Sequence, residues 1–277
     1  MKKLKIIFGL LIVVIIIGYQ YFKQLQVNNN DKQPPTINYS DNLITTVNAS
    51  DEELLTGVSV YDEVDGDVSD SLIIENISKI SDDHKVNITY AAYDKSNNVA
   101  KMTRIVEYQD YQLPYFKLNK PLIFTSLKNT NLLNAIEAFD VKGNDISNKI
   151  RMQYQQNPYE IETTYITYPI IFTVSDKLGG TKEITLNVDL IANNKDFNNV
   201  EVQLKDYLIY VKKGTKLNLT KYLDKIIYQD EEQKINYKNL EITNTVDTTK
   251  EGVYDVYFNY TLKDNLSGYS KLVIVVE

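Results

Sequence analysis

The sequence predicts an all-β chain of three similar modules that follows one apolar N-terminal segment. The composition is rich in tyrosine, with 22 Tyr, 8 Phe and no Trp among 277 residues, and tyrosine and β-branched residues suit pleated, half-exposed surfaces. The chain also consists of short apolar or alternating runs that turn signals interrupt. Finally, an acidic tract recurs at a regular spacing, which indicates repeated structural units.

The acidic tract occurs at Tyr61–Leu72 (YDEVDGDVSDSL), at Phe139–Ile150 (FDVKGNDISNKI) and in a degenerate copy at Tyr228–Leu240 (YQDEEQKINYKNL). In each copy an aromatic residue is followed seven positions later by an aliphatic one, with turn-prone residues between them. The aliphatic residues are Val68, Ile146 and Ile235. The modules are roughly 80 to 90 residues long, which fits a small antiparallel β-sandwich of immunoglobulin type.

The N-terminus combines a basic start with an apolar segment. Lys2, Lys3 and Lys5 precede an uninterrupted apolar run from Ile6 to Gly18, and Tyr19–Phe22 adds an interfacial aromatic end. Such a segment approaches the length that crosses a bilayer as a helix. We therefore predict a single membrane-spanning signal-anchor.

This signal-anchor occupies residues 1–23, with residues 4–22 in contact with the membrane. Because basic flanks stay in the cytoplasm, the chain after Lys23 should lie outside a bacterial cell membrane that it crosses once. The alternative is a cleaved secretory signal, which requires small residues at an A-x-A-like site. No Ala occurs before Ala49, which favours the uncleaved anchor.

The rest of the chain divides into a stalk and three domains. Residues 24–35 have no apolar periodicity and end in Pro-Pro, which predicts a short polar stalk. We then predict three tandem immunoglobulin-like antiparallel β-sandwiches at residues 36–110, 111–193 and 194–277.

Each module should contain six or seven short strands. In the first they are expected at 36–39, 43–47, 58–62, 72–76, 85–94 and 99–108. In the second, five are expected at 115–118, 122–125, 150–154, 163–176 and 181–190, with the Phe139 tract between the second and the third of them. In the third they are expected at 200–204, 208–211, within a turn plus strand at 212–219, and at 240–244, 252–262 and 269–276. Residues 131–139 and 217–227 could form a turn or two of helix, but we interpret both as crossover loops.

Hairpin connections support this order of strands. Lys95–Asn98 (KSNN) is typical of a hairpin turn between two strands. The same place in the second module is taken by DKLGG at Asp176–Gly180, which matches DKSNN at Asp94–Asn98.

The first acidic tract also resembles a known signature. YDEVDGDVS at Tyr61–Ser69 is similar to the D-x-x-D-G-D-(V/I)-(T/S) signature of bacterial immunoglobulin-like surface repeats, which occur in Gram-positive adhesins and some insecticidal crystal proteins. In that family a G-x-Y-x-V-x-Y strand follows. The third module has Gly252, Tyr254 and Val256 at those positions, with Phe258 in place of the last Tyr.

The family also has a D-x-x-G-N turn, which this chain matches only in part. Asp94–Asn98 has Asn97 in place of Gly, whereas Asp176–Gly180 keeps Gly179 but lacks the final Asn. The resemblance implies an extracellular immunoglobulin-like array that acts as a spacer or an adhesive unit. It implies no common catalytic activity.

The charge of the chain restricts its partners. The formal net charge is −7, and residues 1–23 carry lysines without any acidic residue, so the remainder is more acidic still. An acidic surface disfavours nucleic acids and anionic polymers. A cell-wall component, a glycan or a host protein would be a compatible ligand, and the sequence does not identify one.

The residue inventory disfavours catalysis, so we predict no enzyme activity and no cofactor. The absence of Cys excludes disulfides and thiolate chemistry, and His84 is the single histidine. There is no G-x-S-x-G motif for a serine nucleophile. Paired carboxylates could hydrolyse a glycoside across a cleft, but every acidic cluster here falls in an expected turn.

Calcium is the sharper hypothesis for the first acidic tract. Asp62, Asp65 and Asp67, with Asp70 nearby, offer the hard oxygen ligands that Ca²⁺ prefers. The tract does not follow the EF-hand pattern, because Asp70 stands where that loop requires Gly.

The other copies and the local geometry favour a structural interpretation. The second copy has Asp140 and Asp145 but Gly143 opposite Asp65, and the third has Gln229 and Lys234 opposite Asp62 and Asp67. Asp side chains stabilise turns through nearby backbone groups, and Gly tolerates positive φ. We therefore expect a structural crossing between strands, with a possible calcium role in the first copy.

Aromatic residues cluster between the first two modules. Tyr108, Tyr111 and Tyr115 lie in EYQDYQLPYF. They could form a platform for a sugar or a protein, or an inter-module joint in which tyrosine packs with its hydroxyl group in water. We favour the joint.

Overall fold

The described residues of the computed structural model are 11–24, 31–125, 131–154, 165–191, 200–263 and 266–277. Only the backbone is described for residues 165, 166 and 191. Residues 11–24 are helical, and their apolar side chains are exposed. Residues 1–10 of the predicted anchor and 25–30 of the predicted stalk lie outside the described residues. Across the described part of the chain, no helix has both the length and the apolar character needed to span a membrane.

The chain divides into two compact units, Met1–Tyr111 and Gln112–Glu277. The strands of the first unit are β1 (Thr36–Tyr39), β2 (Leu43–Thr45), β3 (Val58–Asp62), β4 (Gly66–Asp67), β5 (Ile73–Ile77), β6 (Lys85–Tyr93) and β7 (Val99–Tyr108). They form one sheet with the order β1-β3-β4 and another with the order β2-β7-β6-β5. β2 and β7 pair in parallel, and the other pairs are antiparallel.

Strand β6 shows why the first unit forms a sandwich. It buries every second residue, including Val86, Ile88 and Tyr90, as the alternation in the sequence predicts. The hydroxyl group of Tyr90 donates a hydrogen bond of 2.7 Å to the carbonyl oxygen of Leu54. This large side chain therefore fills the core without leaving its polar atom unpaired.

One short helix of the first unit, Asp51–Leu54, was not predicted. A capping box begins it: the backbone N–H of Glu53 donates to Oγ of Ser50, and the backbone N–H of Ser50 donates to the Glu53 carboxylate. Ser-x-x-Glu is a recognisable signal for a helix start, so this helix could have been predicted from the sequence.

The second unit contains two further pairs of sheets. Its strands are β8 (Tyr115–Leu118), β9 (Ile123–Phe124), β10 (Ile136–Phe139), β11 (Arg151–Tyr154), β12 (Tyr165–Ser175), β13 (Thr181–Ile191), β14 (Glu201–Leu204), β15 (Leu208–Val211), β16 (Leu223–Tyr228), β17 (Glu231–Gln233), β18 (Leu240–Asn244), β19 (Gly252–Thr261) and β20 (Ser267–Val276). The sheet orders are β10-β8, β11-β12-β13-β9, β14-β16-β17 and β15-β20-β19-β18.

The same arrangement of sheets thus recurs along the described residues. Each four-stranded sheet has a parallel pair at one edge, formed by β2 with β7, β9 with β13, and β15 with β20. A smaller antiparallel sheet accompanies each of them. This is the two-sheet arrangement of an immunoglobulin-like sandwich, so the fold is mostly β, as predicted, while the number of tandem domains stays a prediction. The bounds 36–110, 111–193 and 194–277 stay predictions.

Both predicted hairpins are confirmed. The turn after β6 contains Asn97 with φ 65°, and the turn after β12 contains Gly179 with φ 84°. Both residues are of types that tolerate this left-handed conformation.

Two segments that we interpreted as crossover loops each contain a strand. Residues 131–139 begin with the 3₁₀ turn Leu132–Ala135 and continue as β10, and residues 217–227 contain the 3₁₀ turn Leu219–Tyr222 followed by β16. β10 buries alternate residues. In the sequence this alternation is masked, because the same run also fits the spacing of a helix.

The strand expected within residues 212–219 is wrong. The segment turns at Gly214, which has φ 79°, and the backbone N–H of Thr215 donates to the carbonyl oxygen of Lys212. The backbone N–H of Gly214 itself donates to the carbonyl oxygen of Thr248. The hydrogen bonds that would form a ladder are therefore used to fix a loop.

Strand β20 is buried on both faces. Leu272, Ile274 and Val276 belong to a core with β14, β16 and β19, whereas Val273 and Val275 belong to the core of β8, β10, β12 and β13. An uninterrupted apolar run such as LVIVV is typical of a strand covered on both sides. The sheet of β20 is therefore a layer shared by the two sandwiches of the second unit.

We predict that Gly268→Ala destabilises the second unit by more than about 2 kcal/mol, because overpacking against an unyielding backbone is costly. A Cβ atom at Gly268 would overlap the carbonyl oxygen of Val200. Hydrogen exchange of amides in residues 200–277 measures the loss. Ser267→Ala, one residue away, is the control and should leave exchange unchanged. Equal exchange in both variants would contradict this packing.

Candidate functional site

The first acidic tract forms a tight crossing between strands. Asp62 ends β3, and its Oδ1 accepts hydrogen bonds from the backbone N–H groups of Val64 at 2.9 Å and Asp65 at 2.8 Å. Gly66 then adopts φ 77° and leads into β4. The Asp62 side chain therefore holds the turn, as the structural interpretation of the tract predicted.

Asp67 holds the next turn. Its Oδ1 accepts a hydrogen bond of 2.9 Å from the backbone N–H of Ser69, and hydrogen bonding to the Ser69 hydroxyl and backbone lowers the pKa of Asp67. Oγ of Ser69 in turn accepts from the backbone N–H of Val60 at 3.0 Å. Asp145 and Ser147 repeat the first of these contacts in the second copy, at 2.8 Å.

Four carboxylates, including that of Asp62, converge in the first unit. Asp31, Asp62, Asp65 and Asp94 each offer an oxygen within 4.8 Å of the others. Asp62 ends β3, Asp65 follows in the turn, Asp94 directly follows β6, and Asp31 lies ahead of β1 in the predicted stalk. The structure thus brings Asp62 and Asp65 together, leaves Asp67 outside the group, and adds two residues that the sequence analysis missed.

These carboxylates are largely removed from solvent. Asp62 and Asp94 are each 2% exposed, and the side chain of Asp65 is also 2% exposed. Oδ1 of Asp31 accepts a hydrogen bond from the backbone N–H of Gln33, while its Oδ2 is buried and has no hydrogen-bond partner in the described residues. An unpaired buried carboxylate oxygen is costly, so this atom is available for a ligand.

Neighbouring groups partly stabilise these carboxylates through one positive charge and several hydrogen bonds. The backbone N–H of Lys95 donates to Oδ2 of Asp65 at 2.9 Å, and its Nζ lies 3.7 Å from Oδ1. Asn98 donates to both oxygens of Asp94 and, through Nδ2, to the carbonyl oxygen of Asp31. The Lys95 side chain is 68% exposed, so it screens the four acids only weakly.

The second copy replaces part of this group with an amide. Nδ2 of Asn144 donates to both oxygens of Asp140, and the backbone N–H groups of Lys142 and Asn144 donate to Oδ1. Burial raises the pKa of Asp140, but the hydrogen bonds from Asn144 outweigh it and the net pKa is lowered. Asp176 follows β12 as Asp94 follows β6, and its Oδ1 accepts from Gly180.

The third copy is a different turn. Gln229 and Asp230 have φ 53° and 62° and connect β16 directly to β17. Two consecutive residues with positive φ are typical of a two-residue hairpin turn. The carboxylate group of the first unit therefore has no counterpart in the described residues of this copy.

A second group of charges is buried in the second unit. Nζ of Lys271 on β20 lies 3.0 Å from Oδ2 of Asp189 on β13, and neither side chain has exposed surface. Nζ also donates to the carbonyl oxygen of Asn187 at 2.7 Å, and Oδ1 of Asp189 accepts from the hydroxyl of Thr167 at 3.0 Å. No sequence motif pointed to this pair.

A third carboxyl group adjoins the pair. Oδ2 of Asp255 on β19 accepts a hydrogen bond of 2.9 Å from Nδ2 of Asn187. Burial raises the pKa of Asp255, the charge of Lys271 lowers it and the charge of Asp189 raises it further, with a net rise. Two acids thus lie near one lysine, and of the three groups Asp189 and Lys271 are fully buried while Asp255 is half-buried.

The three clustered tyrosines have separate roles. Tyr108 and Tyr111 are buried in the first unit, where Tyr111 packs edge-on against His84 with ring centroids 5.6 Å apart. Tyr115 stacks on Phe139 in the second unit, also at 5.6 Å. Two of the residues are therefore core side chains of one unit, and the third packs within the other.

No protein-family model and no curated protein matches this chain. Among solved structures it is similar to the M60 catalytic domain with the CBM51-1 and CBM51-2 domains of Clostridium perfringens ZmpB, at 13% identity and a TM-score of 0.23 over 88% of this chain and 31% of that chain. It is also similar to mouse cadherin-23 EC22-24, at 13% identity and a TM-score of 0.21 over 89% and 99% of the chains. Drosophila N-cadherin EC1-3 gives 13% identity and a TM-score of 0.29 over 90% of both chains.

These similarities are distant, and the chain spans only about a third of the Clostridium structure. The fold class therefore rests on the strand pairing: the chain is a mostly β protein of immunoglobulin-like sandwich repeats.

Proposed function

We propose that this chain is a surface protein of the bacterial D-x-x-D-G-D repeat type, anchored through residues 4–22 with the part after Lys23 outside the cell. Its role is that of a non-catalytic spacer that projects from the membrane. The observation that carries the proposal is the recurrence of one two-sheet arrangement along the described residues. Stacked repeats of this kind gain length without adding a catalytic cleft.

The N-terminal segment supports anchoring. Residues 11–24 are helical, and side chains from Leu11 to Phe22 are exposed. Exposed apolar surface of this extent favours a hydrophobic environment, which supports the proposed anchor. Lys2, Lys3 and Lys5 provide the basic flank that keeps a preceding end in the cytoplasm.

The shared layer in the second unit supports spacing over capture. Leu208, Val273 and Val275 of the last sandwich pack into the core of the preceding one. Such a buried contact holds two repeats at a fixed distance, because separating them would expose apolar surface. A flexible string of domains would instead place its binding sites at variable distances.

The D-x-x-D-G-D resemblance gains support from the contacts of its residues. Asp62 holds the turn, and Asp67 and Asp145 each bond the Ser that follows two residues later. Residues of the signature thus stabilise turns in two copies, as expected of a repeat whose motif maintains its fold.

The double substitution Val13→Asp with Ile16→Asp should release the chain from the membrane, since each central charge costs about 2.5–3.5 kcal/mol of insertion energy. Fractionation of bacterial cells measures this, and protease added to intact cells should digest the wild-type chain beyond Lys23. Val13→Leu with Ile16→Leu is the matched control and should stay in the membrane. Protection of the wild type from external protease would refute the topology.

If the protein is a spacer, beads that carry the full-length chain should bind no more ligand than bare beads do. The ligands to test are purified peptidoglycan, wall polysaccharide and host extracellular proteins. The acidic surface of the chain offers no general attraction to anionic polymers. Saturable retention of any one of these by the chain would overturn the spacer role and establish an adhesion module.

A second candidate function, calcium binding by the first unit, is favoured by one specific observation. Asp31, Asp62, Asp65 and Asp94 converge within 4.8 Å, and Ca²⁺ takes six to eight oxygen ligands, with carboxylates prominent among them. Four carboxylates with one exposed lysine leave an uncompensated negative charge that a divalent cation would relieve. The bound ion would also fix the stalk residue Asp31 against the sandwich.

If calcium binds there, a free Ca²⁺ concentration of about 100 times the Kd should raise the free energy of unfolding of the first unit by about 2.7 kcal/mol. This corresponds to a rise of several degrees in Tm, which EDTA should reverse. Asp65→Asn should abolish the rise, because an amide removes the charge but can still accept from the Lys95 N–H. Thermal unfolding of the full chain measures both.

Asp67→Asn is the matched control, since Asp67 lies in the same tract but outside the group of four. It should keep the full calcium response. The same Tm in Ca²⁺ and in EDTA for the wild type, or an equal loss in both variants, would rule out this site.

A further inference from the structure

Lys271 and Asp189 hold their reactive atoms together where water does not reach. Nζ lies 3.0 Å from Oδ2, and both side chains have no exposed surface. The pair of Lys182 and Glu277 has the same 3.0 Å separation, but its side chains are 23% and 53% exposed. Burial, and not distance, therefore sets the Lys271 pair apart.

Neighbouring groups fix both side chains. Nζ donates to the carbonyl oxygen of Asn187, and Asp189 accepts from the Thr167 hydroxyl. The ring of Tyr257, which pairs with Lys271 across β19 and β20, lies 5.9 Å from Nζ. Fixed orientation of two reactants raises their effective concentration by orders of magnitude.

We propose that Lys271 and Asp189 condense to an amide, so that a covalent cross-link joins β13 to β20. A proton first passes from the ammonium group to the carboxylate, which leaves an amine and a carboxylic acid. Nζ then attacks Cγ of Asp189 and forms the C–N bond. The tetrahedral intermediate breaks one C–O bond and releases a single water molecule, and no electron is transferred.

The buried environment favours both the formation of the amide and its persistence. Burial without solvent disfavours charged groups relative to neutral ones, so the proton transfer that creates the nucleophile is assisted. The same exclusion of water prevents the reverse hydrolysis once the product water has left. An exposed pair such as Lys182 with Glu277 has neither advantage.

Asp255 is a positioning residue that acts on the pair through Asn187. It is paired with Val273 on β20, two residues from Lys271 and on the same face of the sheet. Asn187 contacts both groups, because its Nδ2 donates to Asp255 while its carbonyl oxygen accepts from Lys271. The charges of Lys271 and Asp189 both shift the pKa of Asp255, so this carboxyl group is close enough to act on the pair electrostatically.

Peptide mapping of the purified full-length chain tests the cross-link directly. Trypsin does not cleave after an acylated lysine, so residues 183–195 and 264–277 should appear as one branched peptide whose mass is lower than the sum by one water. Separate peptides 183–195, 264–271 and 272–277 in the wild type would overturn the proposal and leave an ordinary buried ion pair.

Three variants separate chemistry from folding. Asp189→Asn should form the same link with loss of ammonia instead of water. A residue with only a structural role would give no linked peptide at all. Lys271→Arg keeps a positive charge but should give only unlinked peptides. Asp255→Asn should slow linkage at least tenfold, measured as the linked fraction over time after synthesis. If it forms the link at the wild-type rate, the role of Asp255 is refuted.

Lys182→Arg is the matched control from the exposed pair, and it should leave the branched peptide unchanged. A second branched peptide that includes Lys182 would show that distance alone suffices, contrary to the argument from burial. The cross-link does not depend on where the chain lies in the cell, so its failure would leave the surface proposal intact.

Discussion

The cost of removing carboxylates from water is the constraint on which the rest of this structure depends. A buried carboxylate needs hydrogen bonds or an opposite charge, since otherwise the penalty is several kcal/mol. Asp62 and Asp140 obtain backbone N–H groups by turning the chain tightly after a strand. Asp189 obtains Lys271 from another sandwich. The turns of the repeat and the ion pair between the two sandwiches both meet this requirement.

The first two repeats meet the requirement with different residues and with different turns after the same strand. In the first, Asp65 joins Asp62, and the charges accumulate. In the second, Gly143 stands opposite Asp65, and the Asn144 amide donates to Asp140. The crossing persists without a second acid, since Phe139 pairs with Asp145 as Tyr61 pairs with Asp67, so the crossing does not need the extra charge. This is why a surplus of carboxylates in the first repeat indicates a ligand, whereas the tract itself indicates only a turn.

The sequence predicted those features whose cause is local. The alternation on β6 and the two hairpin turns depend on neighbouring residues, and so does the turn at Asp62. Asp31 and Asp94 escaped prediction because they come from distant parts of the chain that only the folded first unit brings to Asp65. Lys271 and Asp189 escaped for the same reason: a lysine at the start of an apolar run resembles an ordinary strand boundary until another sheet covers it. The short strand β10 was missed because its residues continue a run, NLLNAIEAF, that also fits the spacing of a helix.

The buried pair also bears on how a spacer would carry load. Under tension applied at the two ends of the chain, an unlinked second unit would have to resist through hydrogen bonds and apolar contacts, which unfold sequentially. An amide between Asp189 and Lys271 would instead carry the force directly from β13 to β20 and bypass residues 190–270. The last sandwich would then stay folded because no force acts across it, while the layer shared by the two cores keeps β20 in place. The site that desolvation makes reactive is thus also the place where a covalent link would protect most of the chain.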